Sequence, residues 1–379
     1  MAGLYNLTED QQSLVEMIRD FMTNEIKPHV LEWEKEGHYP QEIIQMGIDM
    51  GLHMMQVPEE YGGMGLDTTT TALLLEEGGK IEGSYMGMFN VTSMGGKIVM
   101  SAGTPEQKEY YASILQKGCL SSFCLTEPGA GSDSAAVKTT AVRKGDKYVI
   151  NGTKMFITNA SLASVFLVVA SVDPSKGGKG LATFIVERER PGVSVSKKID
   201  KMGQRLSNTA EVIFEDVEIP ASNLIGTEET GFANVMKVLT ASRPLVAASS
   251  LGAAQCARDL AIEYAKVRYA FGKPLAAKQM IQAKIADMEV MIQAARGLVY
   301  NATMLLDQGK PCNVEASAAK LYTTEAYSKI CDEAVQIYGG YGICDEYLIS
   351  KLYRDSRVNR IVEGTSEIQR VIISKALLR

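Results

Sequence analysis

Histidine, tryptophan and paired cysteines are scarce in this 379-residue sequence. It has three histidines, all within the first 53 residues, one tryptophan and six cysteines, none of which form a C-x-x-C pair. Because zinc and iron–sulfur sites need clusters of cysteine or histidine ligands, we expect no metal site, and we expect the cysteines to be reduced thiols. The shortage of histidine also argues against a hydrolytic Ser-His-Asp triad. Acid–base chemistry would therefore fall to carboxylates or tyrosines.

Long apolar runs and an excess of basic residues are also missing. The longest strongly apolar run, 163–172, is about half of the roughly 20 residues that a membrane-spanning helix needs. The 39 Lys and Arg against 45 Asp and Glu give a net charge of −6, so no surface for nucleic acid or an anionic membrane is expected. Acidic residues at 9, 10 and 16 argue against a signal or transit peptide. We expect a cytoplasmic protein of a bacterium, or a mitochondrial-matrix protein if the sequence is a processed form.

What is present is an ordinary globular composition, with 46% hydrophobic and 22% charged residues. The length predicts two or three domains, at roughly 150 residues each. Residues 1–120 form the predicted N-terminal helical domain, because apolar residues recur at helical spacing after N-cap patterns at Thr8 and Thr104, and the helical pattern restarts at Asp67.

The middle and C-terminal thirds differ in pattern. Residues 121–230 contain short β-branched and aromatic runs separated by glycine-containing turn signals, which predicts an antiparallel β-barrel or sandwich that is too short for a doubly wound dinucleotide fold. Residues 231–379 return to a helical period, with long amphipathic stretches at 233–266, 275–308 and 313–338 and a short one at 366–378. These stretches predict an up-and-down helical bundle. The expected fold class is mainly α with a central β-barrel domain.

The segment 126–133, Thr-Glu-Pro-Gly-Ala-Gly-Ser-Asp, is the sharpest local motif. Its glycines allow backbone N–H groups to approach a ligand, and Thr126 and Ser132 add hydroxyl donors. The segment lacks the lysine and spacing of known phosphate loops. A tight turn before a strand, capped by Asp133, is an equally available interpretation.

The segment 363–370, Glu-Gly-Thr-Ser-Glu-Ile-Gln-Arg, is the second motif. Ser366 with Gln369 fits a capping box for the last helix, but that interpretation leaves Glu363 unexplained. Glu363 follows an apolar stretch, where the pKa of a carboxylate rises and the group becomes a plausible general base. Gly364 beside it would allow a ligand close to the backbone.

Two further segments are less specific. Residues 336–342 end a long helix, and a glycine C-cap explains the glycines but not the polar Gln336. Residues 268–274 link two helices, and Arg268 there is more often a solvated cation than a pyrophosphate ligand.

Together these segments resemble the acyl-CoA dehydrogenase family over essentially the whole chain. The resemblance rests on 123–133, 151–159, 268–274, 336–342 and 363–370, which occur in the family's order and spacing. It implies an N-terminal helical domain, a middle β-barrel and a C-terminal four-helix bundle. It also implies one FAD per subunit and a homotetramer built as a dimer of dimers.

The resemblance implies roles for individual residues. Glu363 would be the catalytic base that takes the α-proton of an acyl-CoA thioester, while a hydride leaves the β-carbon for the flavin. Substrate-binding positions would be Ser132, Arg243, Val362 and Gly364. Cofactor-binding positions would be Phe123, Leu125, Thr126, Gly131, Ser132, Phe156, Ile157, Thr158, Arg268, Phe271, Gln279, Gln336, Gly339, Gly340, Thr365 and Glu367, with some of the ADP-side group acting across a dimer interface.

The expected activity is dehydrogenation of an acyl-CoA to the 2-enoyl-CoA, with electrons passed to an electron-transferring flavoprotein. Val362 stands where many relatives have tyrosine, which predicts a wider pocket and, with the Met-rich segment 86–100, a short, branched or alicyclic acyl group. Three alternatives stay open: an enoyl-CoA reductase running in reverse, a non-catalytic CoA-thioester-binding assembly protein, and an oxygen-using relative.

Overall fold

Residues 7–378 are described by the structure, which is a computed structural model. The first six residues of the predicted N-terminal domain, and Arg379 of the predicted C-terminal one, lie outside the described residues. The α-helices are α1 (Glu9–Phe21), α2 (Val30–Glu36), α3 (Gln41–Asp49), α4 (Thr68–Gly79), α5 (Gly83–Ala102), α6 (Pro105–Leu115), α7 (Gly231–Val267), α8 (Gln279–Asp307), α9 (Asn313–Tyr338), α10 (Leu348–Asn359) and α11 (Ser366–Leu377).

The N-terminal helices begin at the predicted caps. The Thr8 side chain accepts from the Gln11 N–H and the Gln11 side chain accepts from the Thr8 N–H, which completes a capping box, and Thr104 and Gln107 form a second one before α6. Asp67 caps α4 by accepting from the Thr70 N–H. These side chains satisfy N–H groups that the first helical turn leaves without partners. The helical prediction for this region is confirmed.

Ten strands lie between and after these helices. They are β1 (Leu120–Cys124), β2 (Thr140–Lys144), β3 (Lys147–Thr158), β4 (Ala163–Ser171), β5 (Leu181–Glu187), β6 (Val193–Val195), β7 (Thr209–Pro220), β8 (Leu224–Ile225), β9 (Tyr269–Ala270) and β10 (Lys273–Pro274). The first eight form one sheet in the order β6-β7-β3-β2-β4-β5-β8, with β1 added beside β4.

This sheet is mixed and open, so the expectations of a closed barrel and of purely antiparallel pairing were wrong. β1 runs parallel to β4, and β2 meets β4 through the single parallel pair Thr140–Ser171. Because one pair alone joins them, β6-β7-β3-β2 and β1-β4-β5-β8 are two half-sheets rather than a continuous ring. The sequence pattern could not show this, since strand periodicity does not encode the direction of the partner.

The C-terminal helices follow the predicted stretches closely. α7, α8 and α9 pack against one another, and α10 and α11 lie on α9. α10 was not predicted, because its 12 residues are short and rich in charge. α7 also packs against α4, α5 and β5, so this 37-residue helix contacts all three parts of the chain. Within residues 7–378, none of the helices has the length and apolar character required to cross a bilayer.

Candidate active site

A tight turn follows β1 at the glycine-rich motif. Glu127 and Ala130 exchange two backbone hydrogen bonds, of 3.0 and 3.1 Å, around Pro128 and Gly129. The predicted turn is therefore present, although the side chain of Asp133 does not cap it. Gly131 and Ser132 lie beyond this turn and are exposed, and a Cβ added at Gly131 would meet no atom within 4 Å. The motif thus combines a structural turn with open backbone beside it.

A buried ion pair holds this loop, and sequence reasoning missed it. The Lys154 ammonium lies 2.8 Å from Glu127 Oε1 and donates to the Leu125 carbonyl at 3.0 Å. Glu127 also accepts from the N–H groups of Lys138 and Thr139. Burial favours a neutral carboxyl, but the Lys154 charge and these hydrogen bonds bring the pKa of Glu127 below its usual value. We call residues 125–132 the glycine loop.

β3 brings three of the predicted cofactor positions beside the glycine loop. The Met155 N–H donates to the Thr126 carbonyl at 2.8 Å. The pairing of β3 with β7 shifts register between Lys154 and Ile157, and Phe156 lies there at a φ of 59° with 58% of its surface exposed. Ile157 is buried and Thr158 is partly exposed. This bulge turns an aromatic ring outward next to the loop.

The turn between α10 and α11 carries Glu363. Glu363 and Gly364 have consecutive left-handed φ values of 55° and 92°. The Gly364 carbonyl accepts from the Lys320 ammonium at 2.8 Å and from the Gln369 amide at 2.9 Å, and the Glu363 carbonyl accepts from Gln369 at 3.2 Å. A Cβ at Gly364 would lie 2.7 Å from Gln369 Nε2. Glycine is therefore favoured at 364, because a side chain would be strained at this φ and would displace the Gln369 amide.

The capping box predicted for Ser366 and Gln369 was wrong. Thr365 is the N-cap of α11 and accepts from the Ile368 N–H at 3.3 Å. Gln369 instead turns its amide toward the two carbonyls of the preceding turn. Because the helix cap lies one residue earlier than predicted, the Gln369 side chain is not used for capping and instead hydrogen-bonds the backbone at Glu363 and Gly364.

The carboxyl group of Glu363 is enclosed by protein, although the residue as a whole is partly exposed. The Ser242 hydroxyl donates to Glu363 Oε2 at 2.9 Å. Burial raises the pKa of Glu363, while the Ser242 hydrogen bond and the charges of Arg243 and Lys320 oppose that rise. The net direction is upward, as the sequence predicted. A carboxylate whose pKa is raised in this way is a better proton acceptor than an exposed one.

α7 connects Glu363 to the glycine loop. Leu239 on this helix packs in the same hydrophobic cluster as Phe123 and Leu125. Ser242 lies three residues further along, about one helical turn, and contacts the Glu363 carboxylate. Arg243 is 6% exposed, and its Nε has no hydrogen-bond partner among residues 7–378. The structure thereby brings the predicted base and the β1 side of the predicted cofactor site to one helix.

The other predicted cofactor positions form a separate, exposed group. The Arg268 guanidinium lies 5.5 Å from the centre of the Tyr341 ring, and Phe271 is 97% exposed at a φ of 54°. Gln279, Gln336, Gly339 and Gly340 are also exposed. Among residues 7–378, no hydrogen bond, ion pair or ring contact joins this group to 123–158. Within one chain, the two groups of predicted positions are therefore not joined by direct contacts.

The remaining predicted positions surround Glu363. Val362 is 38% exposed, Thr365 is partly exposed as the cap of α11, and Glu367 is exposed on its first turn. Sequence reasoning missed Ser242, Lys320 and Gln369. The signals available for them were weak, namely a lysine among small residues in 316–320 and a proline at 244 inside a helical pattern.

Sequence models of a single family match three consecutive parts of the chain. The acyl-CoA dehydrogenase N-terminal, middle and C-terminal domains match residues 8–118, 122–217 and 229–378. The chain belongs to the acyl-CoA dehydrogenase family. An acyl-CoA dehydrogenase of Bacillus subtilis is 42% identical over 375 residues, covering 98% of this chain and 99% of the relative.

Two other relatives show the range of named activities. A cyclohex-1-ene-1-carbonyl-CoA dehydrogenase of Syntrophus aciditrophicus is 41% identical over 98% of this chain and 91% of the relative. A caffeyl-CoA reductase-Etf complex subunit of Acetobacterium woodii is 41% identical over 98% of this chain and 99% of the relative. Among solved structures, butyryl-CoA dehydrogenase from Megasphaera elsdenii superposes with a TM-score of 0.96 at 38% identity, covering all of both chains.

FAD is the cofactor of this acyl-CoA dehydrogenase family, and the groups beside the glycine loop fit it chemically. Hydroxyl groups, open backbone and an outward aromatic ring are the donors and the flat surface that a flavin needs. They come from Thr126, Ser132 and Thr158, from Gly131 and from Phe156. The exposed group has the charge and aromatic surface that suit a nucleotide, from Arg268 and Phe271.

Proposed function

We propose that the enzyme removes the α-proton and the β-hydride of an acyl-CoA thioester to form the 2-enoyl-CoA, with Glu363 as the base. The observation that supports this most strongly is the carboxylate of Glu363, whose pKa is raised by burial and which Ser242 contacts from α7, about one helical turn from Leu239 beside the glycine loop. FAD, when bound, supplies the hydride acceptor. The carboxylate of Glu363 takes the proton from the α-carbon, so that the electron pair left behind forms the new double bond.

The turn at Glu363 also supports stabilisation of the thioester carbonyl. Among residues 7–378, no acceptor takes the N–H of Glu363. We assign this N–H as a donor to the carbonyl oxygen, where negative charge develops as the α-proton leaves. Gly364, which has no side chain, allows the substrate to lie against the backbone. Arg243 and Ser132 are proposed to bind the CoA side, and Val362 the acyl side.

The cofactor contacts are proposed in two groups. Beside the glycine loop the flavin would contact Phe123, Leu125, Thr126, Gly131, Ser132, Phe156, Ile157 and Thr158, with Thr365 and Glu367 near Glu363. The ADP half would contact Arg268, Phe271, Gln279, Gln336, Gly339 and Gly340 of another subunit. The exposure of the second group, which makes no direct contact with the first within residues 7–378, supports this assignment. We propose with it a homotetramer built as a dimer of dimers.

The acyl group, the electron partner and the location are also proposals. Val362 beside the base favours a short, branched or alicyclic acyl group, and the cyclohexene-carbonyl relative is consistent with that choice. The name of the Acetobacterium relative supports an electron-transferring flavoprotein as partner. We propose a cytoplasmic enzyme with domains at 1–120, 121–230 and 231–379.

The decisive experiment is anaerobic bleaching of the bound flavin by acyl-CoA in the wild type and in Glu363→Gln. We expect the variant to retain FAD and to lose at least about a hundredfold in bleaching rate, the order of a general-base contribution. Glu346→Gln, at an exposed carboxylate outside the site, is the matched control and should bleach at the wild-type rate. Unchanged bleaching by Glu363→Gln would place the base elsewhere.

The acyl preference is tested by kcat/KM for butyryl-, isobutyryl-, octanoyl- and cyclohexanecarboxyl-CoA. We expect a short, branched or alicyclic substrate to give the highest value, because the chain places no ring at position 362. A clear preference for octanoyl-CoA would contradict this assignment.

Reduction of an enoyl-CoA is the second candidate, and the caffeyl-CoA reductase relative favours it. The same base would then return its proton to the α-carbon. Supplying the enzyme with a reduced electron-transferring flavoprotein and an enoyl-CoA, and comparing forward and reverse rates, distinguishes the two directions. Release of hydrogen peroxide without a partner protein would indicate the oxygen-using alternative, and absence of any turnover would indicate the assembly-protein alternative.

A further inference from the structure

Lys320 is a buried lysine beside the proposed base. It lies on α9, its exposed fraction is 0%, and its ammonium donates to the Gly364 carbonyl at 2.8 Å. Among residues 7–378, no carboxylate oxygen lies within 4.0 Å of this ammonium. A buried cation without an ion-pair partner is costly, so its presence at this turn calls for an explanation beyond packing.

The hydrogen bonds at this turn come from two helices. Lys320 of α9 and Gln369 of α11 both donate to the Gly364 carbonyl, and Gln369 also donates to the Glu363 carbonyl. Both residues of the turn have left-handed φ values, which are unfavourable for a glutamate. The donors therefore hold a backbone conformation that directs the Glu363 carboxylate toward Ser242.

The charges that act on Lys320 come from the turn at Glu363 and from three helices. Glu363 faces it from the turn, Arg243 from α7, Glu325 from its own helix and Glu367 from α11. Glu325 already pairs with Arg360 at 3.0 Å, and Glu367 is exposed. Glu363 is thus the enclosed carboxylate on which the Lys320 charge acts in a low-dielectric setting.

We propose that Lys320 is a positioning residue that holds the Glu363–Gly364 turn and whose positive charge keeps Glu363 ionised at the pH of turnover. This inference rests on the proposed role of Glu363 as the base. Burial lowers the pKa of Lys320 to about 8 and the Glu363 charge opposes that shift, so Lys320 is charged at neutral pH. The two groups then support each other's ionised forms without a direct contact.

Three variants separate the charge from the hydrogen bonds. Lys320→Met removes both, Lys320→Gln retains an N–H donor without the charge, and Gln369→Leu removes hydrogen bonds from the same turn while the charge stays. The ionisation of Glu363 is followed by infrared difference spectroscopy of its carboxyl group between pH 5 and 9, assigned by its loss in Glu363→Gln. The pH profile of kcat/KM, the flavin absorbance and the thermal midpoint are recorded beside it.

We expect both Lys320 variants to move the ionisation midpoint of Glu363, and the acid limb of kcat/KM, to higher pH by about half a unit, since one opposite charge is lost while Ser242 and Arg243 still favour the ionised form. Gln369→Leu should lower kcat while the midpoint stays at the wild-type pH. A midpoint unchanged in the Lys320 variants overturns the inference and reduces Lys320 to a structural donor. Full activity of Glu363→Gln would instead overturn the proposed function, so the two failures are distinguishable.

Discussion

Two loops in this molecule are each held by a hydrogen bond from a buried lysine, but only one of these lysines has a carboxylate partner. Lys154 donates to the Leu125 carbonyl of the glycine loop, and Lys320 donates to the Gly364 carbonyl of the turn that carries Glu363. Both lysines have an exposed fraction of 0%. Lys154 also has a carboxylate partner in Glu127 at 2.8 Å, whereas Lys320 has none within ion-pair distance in the described chain.

The difference shows how a buried lysine can serve structure or chemistry. The charge of Lys154 is compensated at close range, so it stabilises the position of the loop and exerts little field beyond it. The charge of Lys320 is uncompensated at close range, so it acts on the next enclosed carboxylate, which is Glu363. The position of the partner carboxylate, rather than burial alone, separates the two roles.

The largest expected effect is on stability at the paired lysine. Lys154→Met should lower the free energy of unfolding by about 3–5 kcal/mol, because it leaves the Glu127 carboxylate buried without its counter-ion. Lys320→Met should cost only about 1 kcal/mol, since Gln369 still donates to the Gly364 carbonyl. Urea unfolding of the FAD-loaded proteins measures both values. Equal losses in the two variants would contradict the comparison.

A double variant sharpens this prediction. Glu127→Gln combined with Lys154→Met removes both charges of the pair, so it should recover part of the stability lost in Lys154→Met alone. If the losses in unfolding free energy of the two single variants simply add in the double variant, the contact between Glu127 and Lys154 does not account for the loss in Lys154→Met.

The second effect concerns the backbone of the two loops. Gly364→Ala should lower the free energy of unfolding by about 1–3 kcal/mol, because its φ is 92° and the new Cβ would lie 2.7 Å from Gln369 Nε2. Gly129→Ala in the glycine loop is the control, since its Cβ would meet no atom within 4 Å and its φ is not left-handed. The same unfolding measurement should leave Gly129→Ala within about 0.5 kcal/mol of the wild type.

The smallest effect is expected at Ser242. Ser242→Ala removes a hydrogen bond that favours the ionised form of Glu363, so the pKa of Glu363 should rise and the acid limb of kcat/KM should move upward. We expect a shift of about half a pH unit, at least as large as in the Lys320 variants, because the Ser242 hydroxyl contacts the carboxylate directly whereas Lys320 acts only through its charge. Ser328→Ala on α9, which loses a hydrogen bond to the Ser356 carbonyl, should leave the profile unchanged.

Much of the fold was predictable because its signals are local. The caps at Thr8 and Thr104, the helix that starts at Asp67 and the long helical stretches depend on neighbouring residues along the chain, and these predictions are confirmed. The helical, β and helical order followed from the change in period at about 121 and 231. The mixed sheet was not predictable, because the parallel pairing of β1 with β4 joins segments about 40 residues apart.

In the candidate site, too, the features with local sequence signals were predicted and those that depend on distant residues were not. Glu363 and Gly364 were proposed together from an apolar context and a neighbouring glycine, and their roles stay predictions. Ser242 and Lys320 were not proposed, since they are 121 and 43–44 residues from their partners. The cap at Thr365 rather than Ser366 was decided by Gln369, whose amide is drawn to two carbonyls of the turn.

The amino-acid order alone determined the family and the succession of helices and strands, and it led to the proposal of Glu363 as the base. Only the tertiary structure decided the direction in which the pKa of Glu363 shifts and which residues hold its side chain in place. The reason is that periodicity, caps and motifs depend on residues close together in the sequence. The burial and the electrostatic environment of Glu363 arise only when α7, α9 and α11 pack around its carboxylate.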